Sequence, residues 1–414
     1  MINCRKNVRI YSMKIQKKST IPSHLPFIMR PGFEKKPGLF VMDGFNDTAD
    51  KSRVQDGGYM NMKLVVLFGG ASSEYSVSLQ SATAVMEALD PEKYEIIPVG
   101  ISKDGKWFRY YGERQAIAEN DWQKQECRPA FLSPDRSVHG LVWLKEDGTA
   151  VTEYVDAVFP VLHGKHGEDG TVQGLCELAG IPYVGCGTLS SALCMDKDLA
   201  HVAAKAAGVA VPGYRVLQFY MTPDEKTKAC EGLEYPVFVK PARAGSSYGI
   251  TKVSTAEQLD AAIVLAFEHD SKVVIEEAID GFEVGCAVLG NQTLTVGEVD
   301  EIELHSDVFD FHEKYTLETS RIHVPARVSR KKAEEIKETA RILYRALECQ
   351  GMARVDMFLT PEGTIVFNEV NTIPGFTSHS RYPNMMKAGG ISFAQLLDTL
   401  VEEALAVQKN RDIL

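Results

Sequence analysis

The chain has 414 residues, of which 44% are hydrophobic and 24% are charged, and its formal net charge is -11. This composition predicts a globular protein of two or three domains, and it excludes nucleic-acid binding through a basic surface. No segment has the pattern of a membrane span, so small molecules are the expected partners.

The cysteines indicate the redox environment. Eight of them occur without a C-x-x-C pair, and several lie in apolar runs such as GCAVLG. This pattern favours buried, reduced thiols over zinc ligands or disulfides. It therefore predicts a cytoplasmic location.

The first 59 residues differ in composition from the rest of the chain. MINCRKNVRIYSMKIQKKST carries six basic residues and no acid, but it lacks the apolar core of a secretory signal. No hydrophobic period follows, so we predict that residues 1–59 are disordered. A second interpretation is that they are not normally translated, because GGYM is what a ribosome-binding site and start codon would encode. Met60 or Met62 would then be the first residue.

An α/β domain is predicted over residues 60–184. KLVVLF has the pattern of a buried strand, SLQSATAVMEAL of a helix and YEIIPVGI of a second strand. DAVFPVLHG is a further strand that ends near His163, and the helix TVQGLCELAG ends at Gly180. Alternating strands and helices of this kind are typical of α/β domains.

A second domain is predicted over residues 185–276. It begins with one helix, SSALCMDKDLAHVAAKAAG, and continues after Pro212 with the strands YPVFVKP and KVVIEEAI. The helix between these strands, residues 256–269, has Thr255 and Gln258 at the spacing of a capping box.

A third domain is predicted over residues 277–414. EVGCAVLG and QTLTVGEVDEIEL have the pattern of a hairpin, and a long amphipathic helix at 331–349 has Ser329 near its N-cap. Two strands, ARVDMFLT and TIVFNEVN, precede a closing helix from Phe393. The fold class is therefore α/β, with α+β character in the C-terminal half.

The last two predicted strands bring polar side chains together. With a two-residue turn at EG in LTPEGTI, Asp356 lies opposite Glu369 and Arg354 opposite Asn371, all on one face. Facing carboxylates repel each other unless a cation lies between them, and these oxygen donors suit Mg²⁺. The alternative is a solvated sheet face on which Arg354 neutralises one acid.

The segment VKPARAGSSYGI has the glycines and serines of a phosphate-binding loop, but it matches neither the P-loop nor the dinucleotide pattern. Lys240 lies just before it. A lysine, a Gly/Ser loop and metal-binding acids together are what phosphoryl transfer from ATP requires. The alternative is an ordinary flexible loop.

Seven motifs, in this order, resemble the D-alanine:D-amino-acid ligases of the ATP-grasp superfamily. They are GGASSEYSVS, HGKHGEDGTVQG, CMDK, KPARAGSSYG, EKY, RVDMF and FNEVNTIPGFTSHSRYP. The resemblance runs from about Met62 to the C-terminus. It implies a three-domain ATP-grasp fold with a Rossmann-like N-terminal domain, and it implies ATP and two Mg²⁺ (or Mn²⁺) as cofactors.

The resemblance also implies roles for individual residues. Lys197 and Lys240 are expected to contact the ATP phosphates, Ser247 to lie in the lid loop over them, and Lys314 to reach the transferred phosphoryl group. Glu276 is expected to bind the adenine amino group and Glu283 the ribose. The expected metal ligands are Asp356, Glu369 and Asn371.

In such ligases, ATP phosphorylates the first D-alanine to an acyl phosphate, whose carbonyl the amine of the second substrate attacks. Glu74 is expected to take the ammonium of the first D-alanine, supported by Ser246 and Tyr315. Arg354 and the Gly375 N–H are expected to stabilise the tetrahedral oxyanion. His163 is placed beside the first substrate and Ser380 at the carboxylate of the acceptor.

The acceptor is predicted from a departure from the housekeeping D-alanine:D-alanine ligases. In TSHSRYP, Arg381 stands where those enzymes commonly carry leucine. An arginine favours a polar pocket, directly or by organising Asp300 and the segment near Phe309. The chain keeps Lys314-Tyr315, which D-lactate-type members lack. The resemblance therefore points to D-serine, as in the VanG and VanC types, and to a peptidoglycan precursor that lowers vancomycin binding.

Other interpretations stay open from the sequence. D-alanine is the alternative acceptor, which would make the enzyme a housekeeping ligase. Another ATP-grasp enzyme is disfavoured, because FNEVNTIPGFTSHS includes a serine suited to an amino-acid carboxylate. An inactive ATP-binding regulator, or a protein that interacts through the basic tail, is a non-enzymatic alternative. Relatives are often dimers, so a homodimer is expected.

Overall fold

The computed structural model describes residues 61–245, 248–304 and 320–411. The predicted disordered or untranslated segment, residues 1–59, lies outside this part of the chain. In the described ranges, no helix is long and apolar enough to cross a membrane.

The N-terminal part is built on a seven-stranded sheet. Its elements are β1 (Met62–Gly69), α1 (Tyr75–Ala88), β2 (Tyr94–Ile101), β3 (Trp107–Tyr110), α2 (Arg114–Ala118), β4 (Cys127–Leu132), β5 (Gly140–Leu144), β6 (Ala150–Tyr154), β7 (Ala157–Pro160) and α3 (Thr171–Ala179). The strand order is β6-β5-β4-β3-β2-β1-β7. Strand β1 pairs in parallel with β2 and β7, which is the predicted Rossmann-like core.

Strands β3 to β6 extend this sheet through antiparallel pairs, and the sequence analysis did not predict them. They are four to six residues long. Strand β6, AVTEY, alternates between exposed and partly buried positions. Short strands with one solvated face lack the continuous apolar run that identified β1.

The middle of the chain forms a four-stranded antiparallel sheet. Its elements and the helices before it are α4 (Thr188–Met195), α5 (Lys197–Ala206), β8 (Tyr214–Gln218), α6 (Pro223–Ala229), β9 (Val237–Pro241), β10 (Thr251–Val253), α7 (Leu259–Phe267) and β11 (Lys272–Glu277). The strand order is β10-β9-β11-β8.

Two helix predictions in this region are wrong. The helix predicted to run unbroken to Gly208 is divided at Asp196, whose side chain caps α5 by accepting a hydrogen bond from Leu199 N–H at 3.3 Å. The predicted capping box does not form, since Gln258 Oε1 instead accepts from Ser254 N–H at 2.9 Å. Polar residues with cap-like spacing also satisfy other backbone groups, so spacing alone does not identify a cap.

The C-terminal part forms a six-stranded antiparallel sheet. Its elements are β12 (Phe282–Gly290), β13 (Leu294–Val296), β14 (Asp300–Leu304), β15 (Ser320–His323), α8 (Arg330–Ala346), β16 (Met352–Leu359), β17 (Ile365–Asn371), α9 (Arg381–Ala388) and α10 (Phe393–Arg411). The order is β15-β14-β12-β16-β17, with β13 on β12. Ser329 caps α8 as predicted, accepting from Lys332 N–H at 3.2 Å.

The hairpin of β16 and β17 forms the predicted polar pairs, but its turn and the register of its strands differ from the prediction. Asp356 lies opposite Glu369, and Arg354 lies opposite Asn371. The turn, residues 360–364, is longer than the predicted two residues, and this shifts the register by one. A β-bulge beside Asp356 shifts it back. The pairing was therefore predicted correctly although the turn was not.

Shared cores join the first and last parts of the chain. Leu396 and Leu400 of α10 belong to the same buried cluster as Leu64 of β1 and Leu79 of α1. A second cluster joins α4 and α5 to the β12–β17 sheet. The loops of the first sheet are therefore held close to the face of the third.

Candidate active site

A cavity of 590 Å³ lies between the loops of the first sheet and the third sheet. Many of the predicted site residues line it. They are the substrate and catalytic candidates Glu74, His163, Arg354, Gly375, Ser380 and Arg381, and the metal-ligand candidates Glu369 and Asn371. The other predicted substrate residue in the described chain, Asp300, is bonded to Arg381. Five predicted residues lie outside the described residues: Ser246, Ser247, Phe309, Lys314 and Tyr315.

Glu74 precedes α1 and lies against two glycines. A Cβ on Gly164 would be 2.2 Å from Glu74 Oε2, and a Cβ on Gly245 would be 2.5 Å from it, so a side chain at either position would displace the carboxylate from its present place. Ser72 Oγ accepts from Glu74 N–H at 3.0 Å and donates to His163 O at 2.8 Å. This places a carboxylate at the cavity wall, where it can accept an ammonium group.

His163 has a defined tautomer. Its Nδ1 lies 3.0 Å from the Ile373 carbonyl and must donate, so Nε2 accepts from the Ser81 hydroxyl at 3.2 Å. Burial lowers the pKa of His163 to about 4, and the ring is neutral at physiological pH. Both ring nitrogens are bonded to protein groups, so His163 borders the first-substrate region mainly as part of the wall.

Glu168 lies in the same loop as His163, and the sequence analysis did not assign it a role. Its Oε2 accepts from Gly164 N–H at 2.8 Å. Burial and the neighbouring Glu74 carboxylate raise the pKa of Glu168, while backbone N–H donors oppose this. Two carboxyl groups therefore lie near each other beside the cavity.

Asp356 is the most buried of the predicted metal ligands. Arg354 Nε lies 2.9 Å from Asp356 Oδ1, and Asn371 Nδ2 donates to Asp356 Oδ2 at 2.9 Å. Burial disfavours the charged guanidinium of Arg354, but Asp356 outweighs it and raises the arginine pKa. The described residues contain no group of three His, Cys, Asp or Glu side chains arranged as a metal site.

The oxygen donors of this hairpin nevertheless fit Mg²⁺. Asp356, Glu369 and the amide of Asn371 lie on one face of the hairpin, and Glu369 and Asn371 line the cavity. Two carboxylates and an amide oxygen are hard ligands of the kind that Mg²⁺ prefers. The metal would bring positive charge to the same acids that Arg354 now neutralises.

Lys197 begins α5, and its side chain approaches Glu369, one of the predicted metal ligands. Its Nζ lies 3.7 Å from Glu369 Oε2 and donates to Ala244 O at 3.0 Å. Lys272, which the sequence analysis did not single out, holds this helix start in place, because its Nζ lies 2.7 Å from Asp196 Oδ1. A buried lysine thus anchors the segment that presents Lys197.

Glu276, the residue predicted to bind adenine, lies in the middle sheet and has one carboxylate oxygen that can still accept a hydrogen bond. Lys240 on β9 donates to Glu276 Oε2 on β11. Glu276 Oε1 is buried with no hydrogen-bond partner among the described residues, and His201 Nε2 is 3.8 Å away. A buried orphan acceptor of this kind suits a donor on a ligand, such as the amino group of adenine.

Arg381 forms the densest charge cluster of the site. Its guanidinium makes two bonds with Asp300, at 2.7 and 2.8 Å, and one with Glu283 at 2.6 Å. Its Nη2 also lies 3.3 Å from Asp356 Oδ1. Asp300 is fully buried, and Arg381 is 7% exposed. Arg381 therefore neutralises three acids instead of projecting freely into the cavity.

Gly285 makes room for this cluster. A Cβ there would lie 2.3 Å from Arg381 Nη2 and 2.6 Å from Asp300 Oδ1. A glycine on β12 opposite Asp356 is therefore required by the arginine. The sequence analysis missed this dependence, because a glycine within a strand has no pattern that identifies its distant neighbours.

Comparisons with known proteins agree with this geometry. The family model described as D-ala D-ala ligase N-terminus matches residues 63–186, and the one described as D-ala D-ala ligase C-terminus matches residues 203–402. The vancomycin/teicoplanin A-type resistance protein VanA of Enterococcus faecium is 48% identical over 349 residues, which are 83% of this chain and 98% of VanA.

The chain belongs to the D-alanine–D-alanine ligase family.

Two further relatives of this ligase family differ in the acceptor that their names give. A D-alanine–D-alanine ligase of Caldicellulosiruptor bescii is 46% identical over 357 residues, covering 84% of this chain and 96% of that protein. The crystal structure of the VanG D-Ala:D-Ser ligase from Enterococcus faecalis is 54% identical, with a TM-score of 0.77. It covers 83% of this chain and 100% of the VanG chain. The predicted ATP-grasp fold and ATP-dependent ligase class are confirmed.

Proposed function

We propose that this ligase joins D-alanine to D-serine, and that its product is a peptidoglycan precursor end with low affinity for vancomycin. The observation that carries the proposal is the Arg381–Asp300 ion pair, a buried polar group whose arginine lines the cavity next to Ser380, the residue assigned to the acceptor carboxylate. The VanG D-Ala:D-Ser ligase is 54% identical to this chain.

The first step activates D-alanine. ATP supplies the phosphoryl group, which a carboxylate oxygen of D-alanine accepts, with ADP as the leaving group. Lys197 and Lys240 are assigned to the phosphates and Glu276 to the adenine, whose amino group would satisfy the orphan Glu276 Oε1. Two Mg²⁺ would be held by Asp356, Glu369 and Asn371.

The assignment of Glu283 to the ribose is supported only by the family resemblance. In the structure, the Glu283 carboxylate is bonded to Arg381. One carboxylate has enough lone pairs to bind both a guanidinium and a ribose hydroxyl. Under this assignment, Glu283 would contact both the nucleotide and Arg381.

The second step forms the peptide bond. The acceptor amine attacks the carbonyl carbon of the acyl phosphate, phosphate leaves, and the nitrogen loses a proton to solvent. Glu74 is assigned to the ammonium of D-alanine, and Arg354 with the Gly375 N–H to the oxyanion. Ser380, whose Oγ accepts from Thr377 N–H at 3.0 Å, is assigned to the acceptor carboxylate.

D-serine selectivity follows from unequal hydrogen bonding. A polar wall organised by Arg381 and Asp300 can offer the serine hydroxyl a hydrogen bond, and D-alanine, which has only a methyl group there, loses this bond. Such a loss costs about 1–3 kcal/mol, which corresponds to roughly 5- to 150-fold in relative rate. We therefore propose that D-serine is preferred and that D-alanine is a slower acceptor. A homodimer and a cytoplasmic location stay predictions.

The test is a set of steady-state ADP-release assays with ATP, Mg²⁺ and D-alanine at a fixed level, with D-serine or further D-alanine varied as acceptor. The proposal predicts a kcat/KM for D-serine at least several-fold above that for D-alanine as acceptor. Equal values, or a higher value for D-alanine, would assign the chain to cell-wall D-alanine–D-alanine synthesis instead.

A further inference from the structure

The loop of residues 373–376, which carries Gly375, is held by side chains from two other parts of the chain. Glu168 Oε1 accepts from Ile373 N–H at 3.1 Å, and His163 Nδ1 donates to Ile373 O at 3.0 Å. Ser81 Oγ on α1 accepts from Phe376 N–H at 3.2 Å. Both backbone polar groups of Ile373 are therefore bonded to side chains from the HGKHGEDG motif.

These bonds form one connected network. The Phe376 N–H donates to Ser81, the Ser81 hydroxyl donates to His163 Nε2, and His163 Nδ1 donates to Ile373 O. Because the backbone N–H can only donate and the backbone carbonyl can only accept, the direction of all three hydrogen bonds is fixed. Networks with every member satisfied rigidify the backbone they hold.

Glu168 also reaches the first-substrate side. Its second oxygen, Oε2, accepts from Gly164 N–H, and Gly164 packs directly against Glu74. One carboxylate thus spans two loops, one beside Glu74 and one that carries Gly375. Each oxygen of Glu168 accepts one backbone N–H, and these two donors favour the ionised form of the carboxyl group.

We infer that Glu168 is a positioning residue, which fixes the 373–376 loop so that the Gly375 N–H is aimed at the developing oxyanion. The inference rests on the proposed assignment of Gly375. Oxyanion donors are effective because they are held in place before charge develops, and a misplacement of about 1 Å can cost about 100-fold. Loss of Glu168 should therefore slow peptide-bond formation more than the activation of D-alanine.

The direct test uses Glu168→Gln, whose amide nitrogen cannot accept an N–H bond, and rapid-quench measurement of ADP and dipeptide in the same reaction. We expect a first-turnover burst of ADP at close to the wild-type rate, followed by dipeptide formation that is about 10- to 100-fold slower. The KM for the first D-alanine should change less than 3-fold. Asp169→Asn is the matched control, because Asp169 bonds only within its own loop in the described contacts.

Amide hydrogen exchange of a peptide covering 370–377 gives a readout that does not depend on turnover. Exchange there should rise in Glu168→Gln and also in Ser81→Ala, which removes an independent contact to the same loop, and it should stay at the wild-type level in Asp169→Asn. If Glu168→Gln does not fold, Ser81→Ala carries both measurements with the same expected results.

The inference is overturned if ADP and dipeptide formation fall together, or if exchange at 370–377 is unchanged in a folded variant. A different failure would be that the wild-type enzyme releases no ADP with D-alanine. That result would contradict the proposed reaction and not the role of Glu168.

Discussion

Arg381 Nη2 lies 2.8 Å from Asp300 Oδ1 and 3.3 Å from Asp356 Oδ1, so a single guanidinium joins the acceptor wall to a proposed metal ligand. If the proposed assignments hold, acceptor choice and metal binding would both depend on this one buried residue. A substitution that removes the positive charge of Arg381 would leave Asp300 and Asp356 buried without this cation, which is strongly destabilising.

Replacing Arg381 by leucine tests the role of this arginine in acceptor choice. Arg381→Leu leaves Asp300 and its neighbouring acids without their cation, so it should lower the stability by about 3 kcal/mol and reduce the D-serine preference. The double variant D300N/R381L removes one of the unpaired charges and should recover part of the stability. Thermal unfolding and product analysis check both effects; an unchanged product ratio in the folded double variant would show that the cluster is structural.

Gly285 should tolerate no side chain. In Gly285→Ala, the new Cβ meets Arg381 and Asp300, and displacing them should cost about 1–3 kcal/mol and weaken the preference for D-serine. Gly174→Ala in α3 is the matched control, since the nearest atom to its new Cβ would be Thr188 Oγ1, 3.7 Å away. Denaturant unfolding of the two variants should separate them clearly, and equal stabilities would contradict the crowding at Gly285.

The sequence identified most of the side chains that meet at the cavity but not what holds them. Asp356 and Glu369 were predicted to face each other because strand periodicity and oxygen-ligand chemistry are local properties. Arg381 was singled out only through the family resemblance. Its partner Gly285 is 96 positions away in the chain, and no periodicity connects the two.

Glu168 was missed for a related reason. It lies inside a motif that supported the resemblance, but its partner Ile373 is 205 residues away and contributes only a backbone N–H. Backbone donors have no signature in the sequence. The strands β3 to β6 were missed because they are short and have one solvated face, whereas β1, a continuous buried run, was predicted without difficulty.

The stability of the protein should depend on pH through His163. Its pKa is lowered from 6.5 to about 4 in the folded protein, so the unfolded state binds the proton first and folding is penalised as the pH falls from about 6.5 to about 4. Relative to His163→Asn, which does not titrate, the wild type should lose up to about 3 kcal/mol across this range and nothing further below it. Urea unfolding at a series of pH values measures the difference; a constant difference would show that folding does not lower the pKa of His163.

Binding of D-alanine should release protons near neutral pH. The pKa of Glu168 is raised by burial and by Glu74, with Arg354 and the backbone donors acting in the opposite direction and His163 neutral. An ammonium group beside Glu74 offsets the repulsion and favours ionised Glu168. Calorimetric titration in buffers of different ionisation enthalpy should show up to one proton released per site at pH 7, and Glu168→Gln should abolish it. Binding heats that do not vary with the buffer would refute this linkage.

The most direct test of the D-serine assignment is a competition in one tube. The enzyme is given ATP, Mg²⁺, isotopically labelled D-alanine and an equal concentration of D-serine, and the dipeptides are counted by mass spectrometry. The account predicts that D-alanyl-D-serine exceeds D-alanyl-D-alanine several-fold. A product that remains mainly D-alanyl-D-alanine under these conditions would contradict it.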